Sequence, residues 1–427
     1  MKSLVTHLLT WCSRRVLERH KPIIIAVTGS VGKTSTKEAI AVVLGSQFDV
    51  RTAKKNFNTE IGVPLTILGI EKPVTDVGWL FVVLRALYRS YWPNKSYRTY
   101  HSHLVLEFGA DRPGDISHLC RLAPPSVGVV TPITHVHVSN YPSFEALVAE
   151  KTELVKALPN DGLAVLNADE ELVTKMKSVS QAPVVTYGFA EKAEIHGEGY
   201  ELETEPKIRM RFTAHNRLKS EQAEVVLENT MGKHQAADAL AALAVGTYFG
   251  ISLVDGAEAL KKYVSPSGRL KPLAGIKGSL LLDDSYNAAP SSTKAALDVL
   301  KEMPLGQSGR RIAVLGQMAE LGAFTESLHR EIGWKAAESH VDLLVCSGEI
   351  AQDICRGAME AGMKEEQIVK VKGPEEAGRY LDHEIHAGDV VLIKGSQGAR
   401  MEKAVLDVMA QPERANELLV RQEKEWL

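Results

Sequence analysis

The stretch Thr28–Thr36, TGSVGKTST, constrains the fold of this 427-residue chain more than any other. It follows Ile23-Ile24-Ile25-Ala26-Val27, an apolar run that reads as a buried parallel strand, and leads into Lys37–Leu44, whose apolar spacing suits a helix. Strand, glycine loop and helix in that order build an anion site. Gly29 and Gly32 let the backbone curl so that the loop's N–H groups, with Ser30 and Ser35 beside them, face a phosphate at the helix N-terminus. Lys33 then reaches the β- and γ-phosphates, and the Thr34 hydroxyl is suited to coordinating Mg²⁺. The stricter form of this loop has glycine where Val27 stands, so this is a shortened variant. An ordinary strand-to-helix turn does not account for Lys33 and Thr34 arriving together.

The length predicts two or three domains, and 44% hydrophobic with 24% charged residues is an ordinary globular composition with ample material for cores. A net charge of −3 argues against nucleic acid as a partner. Cys12, Cys120, Cys346 and Cys355 are scattered without a CxxC pair, which fits a reducing cytosol and supports neither a zinc site nor a disulfide framework. The expected location is cytoplasmic, with the inner face of the membrane left open by two segments. Residues 1–21 form an amphipathic helix carrying Leu4, Val5, Leu8, Leu9, Cys12 and Val16, followed by Arg14, Arg15, Arg19 and Lys21; it is too short and polar to span a bilayer. Trp79–Trp92 has Arg85 and Arg89 one turn apart and aromatic ends, as interfacial helices do and as helices covering a sheet also do. Peripheral membrane contact through 1–20 and 79–92 stays open.

Further along, Phe48–Ala53 reads as a strand, followed by a polar loop holding Asn56, Asn58 and Thr59, where open α/β sheets bind ligands. His103–Glu107 is a strand ending in a carboxylate; Glu107 is either buried and paired or a Mg²⁺ ligand. The strand Ser126–Thr134 exits into His135 and His137, a metal pair or two solvated loop histidines. Phe144–Leu158 is an amphipathic helix with Glu150, Lys151 and Glu153. From about 195 to 228 alternation predicts antiparallel strands on the edge of the parallel sheet. An alanine-rich helix, 235–248, follows His234. A domain break is expected near residue 268, in Ser265-Pro-Ser-Gly-Arg-Leu. Beyond it strands at 279–283, 311–315, 343–346 and 390–393 restart the strand–helix rhythm. The loops after three of these strands, Asp283–Asn287, Gly316–Met318 and Lys394–Ser396, should gather at one sheet edge and form the wall of a cleft.

TGSVGKTST, NFNTEIGVPLT (56–66), LEFGAD (106–111), the loop ending at His137, LNADE (166–170), GRL (268–270), DDSYNAAP (283–290), LGQMAELG (315–322) and KGSQGARMEK (394–403) resemble, in order, the motifs of the Mur ligases. The similarity spans roughly residues 22–410. The last three point to the branch that adds D-alanyl-D-alanine to a UDP-muramoyl-tripeptide. The resemblance implies an α/β architecture: a central P-loop ATPase-type parallel-sheet domain over 22–267, with an aromatic-rich insertion at about 74–102, then a Rossmann-like C-terminal α/β domain over 268–427. It implies an ATP- and Mg-dependent amide ligase. A substrate carboxylate takes the γ-phosphate of ATP to give an acyl phosphate, and an amine then displaces phosphate.

By family position Lys33, His137 and Lys151 would be catalytic, Lys151 as a carbamylated lysine. Thr34, Glu107 and His137 would hold Mg²⁺. His234, Tyr286 and Asn287 would hold the nucleoside, while Arg269 and Asp284 would touch ATP phosphate or ribose. Asn56, Asn58 and Thr59 would lie near the acyl substrate, and Lys394 and Ser396 would face the amine. Four departures qualify the match: about 20 residues precede the first strand, where the family has a UDP-binding domain, so that domain is expected to be missing. Gln235 and Asp238 replace usual asparagines; Ala289 and Gln397 replace an asparagine and an arginine; and Trp79–Trp92 looks inserted. The expected partners are therefore a small-molecule or lipid-linked peptidoglycan precursor and an amino acid or dipeptide. A γ-glutamyl substrate and a non-catalytic nucleotide-binding role are the alternatives.

Overall fold

A computed structural model describes residues 2–53, 57–70, 76–91, 100–135, 138–306 and 308–422; Asn56 and His137 lie outside them. The chain builds two sheets. The first has nine strands: β1 (Ile23–Thr28), β2 (Val50–Thr52), β3 (His103–Glu107), β4 (Val127–Val130), β5 (Leu163–Asn167), β6 (Val184–Gly188), β7 (Ile195–Glu203), β8 (Arg209–Asn216) and β9 (Glu221–Glu228). Their order is β2-β3-β1-β4-β5-β6-β7-β8-β9. Pairing is parallel from β2 through β7 and antiparallel from β7 to β9, as the change to alternation predicts. Strands covered on both faces need apolar residues throughout, and β3, β4 and β5 are buried end to end. Because β1 lies between β3 and β4, its crossovers diverge there, and the loop after β1 opens into the crevice at the switch point.

The helix Lys233–Tyr248 is apolar on every side, and its alanines let it lie deep between the sheet and the Lys33–Leu44 helix. Thr36 on the latter donates a 2.6 Å bond to Asp238 on the former, so the phosphate-loop helix is fastened from behind.

The second sheet contains β10 (Lys271–Ala274), β11 (Leu280–Asp284), β12 (Arg311–Gly316), β13 (Leu343–Ser347), β14 (Ile368–Val371) and β15 (Val390–Lys394), in the order β10-β11-β15-β12-β13-β14. All pairs are parallel except β10–β11. With β11, β15 and β12 adjacent and parallel, their exit loops meet: the Ser396 N–H donates to Gln317 O at 2.9 Å, and Lys394 Nζ to Asp284 Oδ2 at 2.6 Å.

Residues 265–270 run between the two sheets and are held by both. Ser265 Oγ bonds Gln235 Oε1 at 3.2 Å, Gln235 Nε2 donates to Arg269 O at 3.1 Å, and the Leu270 N–H donates to Asp284 Oδ1 at 3.1 Å.

The expectation of unpaired cysteines is corrected in one place: Cys346 and Cys355 form a disulfide. The end of β13 and the following helix, Gln352–Glu360, bring their Cα atoms to 6.3 Å, a meeting that a spacing of nine residues does not announce. Cys12 and Cys120 are free and buried. The N-terminal helix Lys2–His20 turns Leu9, Cys12 and Val16 onto the protein, against the helices Gly62–Leu68 and Asp76–Tyr91. No helix among the described residues is long and apolar enough to cross a membrane.

Candidate active site

The site is built first from backbone. Gly29 has φ +143°, and a Cβ there would lie 2.0 Å from Thr131 Oγ1; Gly32 has φ +82° and caps the Lys33–Leu44 helix with a left-handed residue. Lys33 Nζ turns back to donate to Gly29 O and Ser30 O, each at 3.0 Å, and Ser30 Oγ donates to Thr134 O at 3.1 Å. The curl the sequence calls for is thus held by its own lysine. Parallel register sets Val27 opposite Glu107, which brings the end of β3 beside the start of the loop's helix. Thr34 Oγ1 donates to Glu107 Oε2 at 2.9 Å, and Asn58 Nδ2 donates to Glu107 Oε1 at 3.0 Å. Burial pushes the Glu107 carboxyl up, but Lys33, Lys37 and these two hydrogen bonds outweigh it and hold the pKa below the ordinary carboxylate value.

A cleft of about 1480 Å³ opens over this group. Ser30, Gly32, Lys33, Thr34, Ser35, Asn58, Glu107 and His234 line it from the first sheet, and Asp284, Tyr286, Asn287 and Lys394 from the second, with Arg269 at the crossing. The Arg269 guanidinium lies 3.9 Å from the Tyr286 ring centroid and reaches Thr34 Oγ1 at 3.5 Å, so one side chain touches both walls. Gly29 stands behind the loop, outside the cleft lining. Thr59 is exposed and its hydroxyl accepts a long 3.4 Å bond from the Gly62 N–H, and Ser396 is fully buried under the second wall with its hydroxyl unpartnered. Lys151 is 2% exposed beneath the site. Its helix, Phe144–Lys156, is fixed by Glu150, which accepts from the Gly114 and Ile116 N–H groups at 2.7 Å each. His135 stacks on Phe144 with ring centroids 4.1 Å apart.

Residues 27–80 and 93–246 match the Mur ligase middle domain, and residues 268–397 match the Mur ligase glutamate ligase domain. The UDP-N-acetylmuramoyl-tripeptide–D-alanyl-D-alanine ligase of Mycobacterium leprae is 33% identical over 407 residues, covering 90% of this chain and 73% of the relative. The chain belongs to the Mur ligase family. The Bacillus subtilis enzyme of the same name is 29% identical over 394 residues, covering 91% of this Mur ligase and 76% of the relative. Among solved structures, MurF of Thermotoga maritima in complex with ADP superposes with a TM-score of 0.76 at 26% identity, covering 95% of this chain and 83% of that one. MurF of Acinetobacter baumannii shares the fold, with a TM-score of 0.77 at 24% identity.

This Mur ligase is accordingly an ATP-dependent, ADP-forming C–N ligase with a mixed α/β fold. Its cleft also contains charged groups beyond the expected site residues, of which the motifs mark only Asp238, as the replacement of a usual asparagine. Asp238, buried behind Gly32, has its carboxyl pushed up to about 7 by burial, against the opposing pull of the Thr36 bond and Arg269. Arg112 and Lys233 add positive charge to the lining, and Arg421 enters from the far end of the chain. The GAD that precedes Arg112 is a readable signal for the first; nothing local marks Arg421.

Thr34 and Glu107 bring oxygens to the loop, a hydroxyl and an ionised carboxylate, which is the donor chemistry Mg²⁺ accepts. Among the described residues no three His, Cys, Asp or Glu side chains converge as a metal cage. A Mg²⁺ shared with phosphates needs only one or two protein oxygens, so the donor set fits.

Proposed function

We propose that this ligase joins the free carboxyl of a UDP-muramoyl-tripeptide to the amine of D-alanyl-D-alanine, a step in making a peptidoglycan precursor, in the cytoplasm where ATP is at hand. The observation that carries the reading is the Thr34–Glu107–Asn58 cluster beneath Lys33, facing Lys394 and Asp284 across one cleft. In this reading residues 22–267 carry the nucleotide and 268–427 close over it. Thr34 and Glu107 would hold Mg²⁺, which when bound neutralises charge on the β- and γ-phosphates. Lys33 keeps the loop curled and presents its ammonium to the same charge. The substrate carboxylate oxygen bonds to the γ-phosphorus and ADP leaves; the amine nitrogen then bonds to the acyl carbon, loses a proton, and phosphate leaves. Asn58 is in reach to orient the acyl group. The Lys394 loop, locked through Asp284 and Asn287 O, would face the amine.

The test is phosphate release from ATP with UDP-muramoyl-tripeptide and D-alanyl-D-alanine, against each alone. Release that needs both supports the reading. Release that needs neither, or none from a folded protein that binds ATP, overturns it in favour of another acceptor.

A lipid-linked acceptor is the second reading, and one surface favours it. Leu80, Phe81, Leu84, Tyr88 and Tyr91 recur on one face of the Asp76–Tyr91 helix and are 47–67% exposed. Trp11 packs on Tyr91 at 5.7 Å, and Arg15 lies over both rings. Exposed Arg14, Arg19, Lys21 and Arg85 lie on the same two helices or just past the first, whose acids are Glu18 and, at the start of the second helix, Asp76. Apolar and aromatic side chains rimmed by cations suit an anionic bilayer surface. Flotation with phosphatidylglycerol-containing vesicles, against pure phosphatidylcholine, checks this. Binding to the former that Phe81→Glu with Leu84→Glu abolishes supports it. No vesicle binding, or self-association that the same pair of changes disrupts, overturns it.

A further inference from the structure

Three consecutive carbonyls of the Asp283–Asn287 loop are each held by a cation. Arg421 Nη2 donates to Ser285 O at 2.6 Å, Arg421 Nη1 to Tyr286 O at 3.0 Å, and Lys394 Nζ to Asn287 O at 2.9 Å. Arg421 is 7% exposed and its charge is met by Glu402, 1% exposed, at 2.6 Å. The other oxygen of Glu402 accepts from Arg400, in the loop that follows β15. One buried pair therefore ties the chain's last described segment to two loops of the second wall, those after β11 and β15.

Arg421 adopts φ +55°, a left-handed conformation that a non-glycine residue keeps only where its surroundings impose it. The preceding Val420 lies against Gly268, where a Cβ would meet Val420 Cγ1 at 3.0 Å and the Tyr286 N–H at 2.9 Å. The tail is thus wedged where the chain passes from one sheet to the other. The Tyr286 ring has two guanidiniums near it, Arg269 at 3.9 Å and Arg421 at 5.9 Å from its centroid, and Arg269 continues to Thr34.

We propose that Arg421 is a positioning residue for the nucleotide: it fixes the Tyr286 backbone so that the ring braces Arg269 over the phosphate loop. The inference rests on the reading that Tyr286 and Arg269 face the nucleotide. Removing the guanidinium frees two loop carbonyls and lets Tyr286 and Arg269 move, while Glu402 keeps Arg400. Nucleotide affinity should fall and the amine's KM should not.

The test is ADP binding by titration calorimetry, with steady-state KM values for ATP and the amine, on wild type, Arg421→Ala and Arg421→Lys. Arg421→Ala should weaken ADP binding and raise KM for ATP by about tenfold, roughly the worth of one charge-assisted hydrogen bond, with KM for the amine within about twofold. Arg421→Lys keeps the charge beside Glu402 without the forked contact and should fall between. Folded Arg421→Ala that binds ADP like wild type overturns the proposal, as does a KM rise shared equally by both substrates. If Arg421→Ala does not fold, wild-type affinity in Arg421→Lys overturns it instead. Failure of wild type to bind ADP would sink the nucleotide reading itself.

Discussion

Thr34, in the first turn of the Lys33–Leu44 helix, donates a 2.9 Å hydrogen bond to Glu107 at the end of β3, with Asn58 on the carboxylate's other oxygen. The bond brings a hydroxyl and a charge together at the phosphate loop, and the charge persists because Lys33 and Lys37 offset burial. Glu107→Gln keeps the side chain's shape, removes the charge and turns one of the two acceptor oxygens into a donor, so either the Thr34 or the Asn58 bond loses its acceptor. It should lower kcat by roughly a hundredfold or more with an unchanged circular dichroism spectrum. Turnover within a few-fold of wild type at saturating Mg²⁺ would remove Glu107 from the metal's ligands.

Lys33 has a double duty that one substitution separates. Its contacts in the structure are two loop carbonyls at 3.0 Å, and burial lowers its pKa while Glu107 raises it. It packs into no apolar core cluster. Lys33→Ala should abolish turnover, by about a thousandfold or more, since charge on the transferring phosphoryl group goes unanswered. Thermal stability should change by about 1 kcal/mol or less, the scale of exposed or half-buried polar contacts. Wild-type ATP consumption by this variant would show that the loop is not where phosphoryl transfer happens.

Asp238 links the site to pH. Burial raises its carboxyl to about 7, so the folded state holds a proton that the unfolded chain releases at ordinary carboxylate pH. Stability from this group is full below the unfolded pKa and drains away as pH rises through about 7. Asp238→Asn keeps an acceptor for Thr36 Oγ1 and cannot ionise. It should therefore raise stability by on the order of 2 kcal/mol at pH 8 and by little at pH 4. Urea unfolding at the two pH values measures the difference; an equal shift at both would mean the carboxyl is not titrating.

How far the sequence reaches is seen in which residues carry their own context. The run Ile23–Val27 is apolar without a break because β1 is parallel on both sides, and GKT follows it directly, so strand, loop and ligand class are legible together. The exits of β11, β12 and β15 could be grouped because parallel strands put their C-terminal ends on one edge. Two short edge strands of the second sheet escaped: β14 has four residues with only Val371 buried, and β10 carries Pro272, tolerated because it pairs on one side only. β6 escaped because Val184-Val185-Thr186 are only half-buried, leaving no clear period. Arg421, 135 residues from the loop it holds, and the Cys346–Cys355 pair depend on tertiary approach, which no local spacing encodes. The N-terminal stripe was readable as a helix, yet its pattern does not tell a protein neighbour from a lipid one: Leu9, Cys12 and Val16 cover protein, while Leu4 is 66% exposed.

Lys151 is the site's most informative lysine because it is buried and close enough to Lys33 to feel its charge. Burial first, and the Lys33 ammonium second, bring its pKa down to about 7, against the pull of Glu150, Asp111 and Asp115. Near neutral pH a sizeable fraction is the free amine, whose nitrogen can bond to the carbon of CO₂ and release a proton, turning a cation into a carboxylate. Such a carbamate would relieve the repulsion from Lys33 and supply oxygen donors beneath the phosphate loop. Activity at pH 8 should therefore rise severalfold when bicarbonate is added to CO₂-stripped buffer, and native mass spectrometry should find the protein heavier by one CO₂. Lys151→Met removes the amine and fills a similar volume, so turnover should drop by about a hundredfold or more while the fold persists. Because the buried ammonium penalises the folded state most below about pH 7, the same variant should gain stability at pH 6 and gain less at pH 9. Wild-type turnover by Lys151→Met would exclude the carbamate, and a bicarbonate effect that survives in that variant would assign it to another residue.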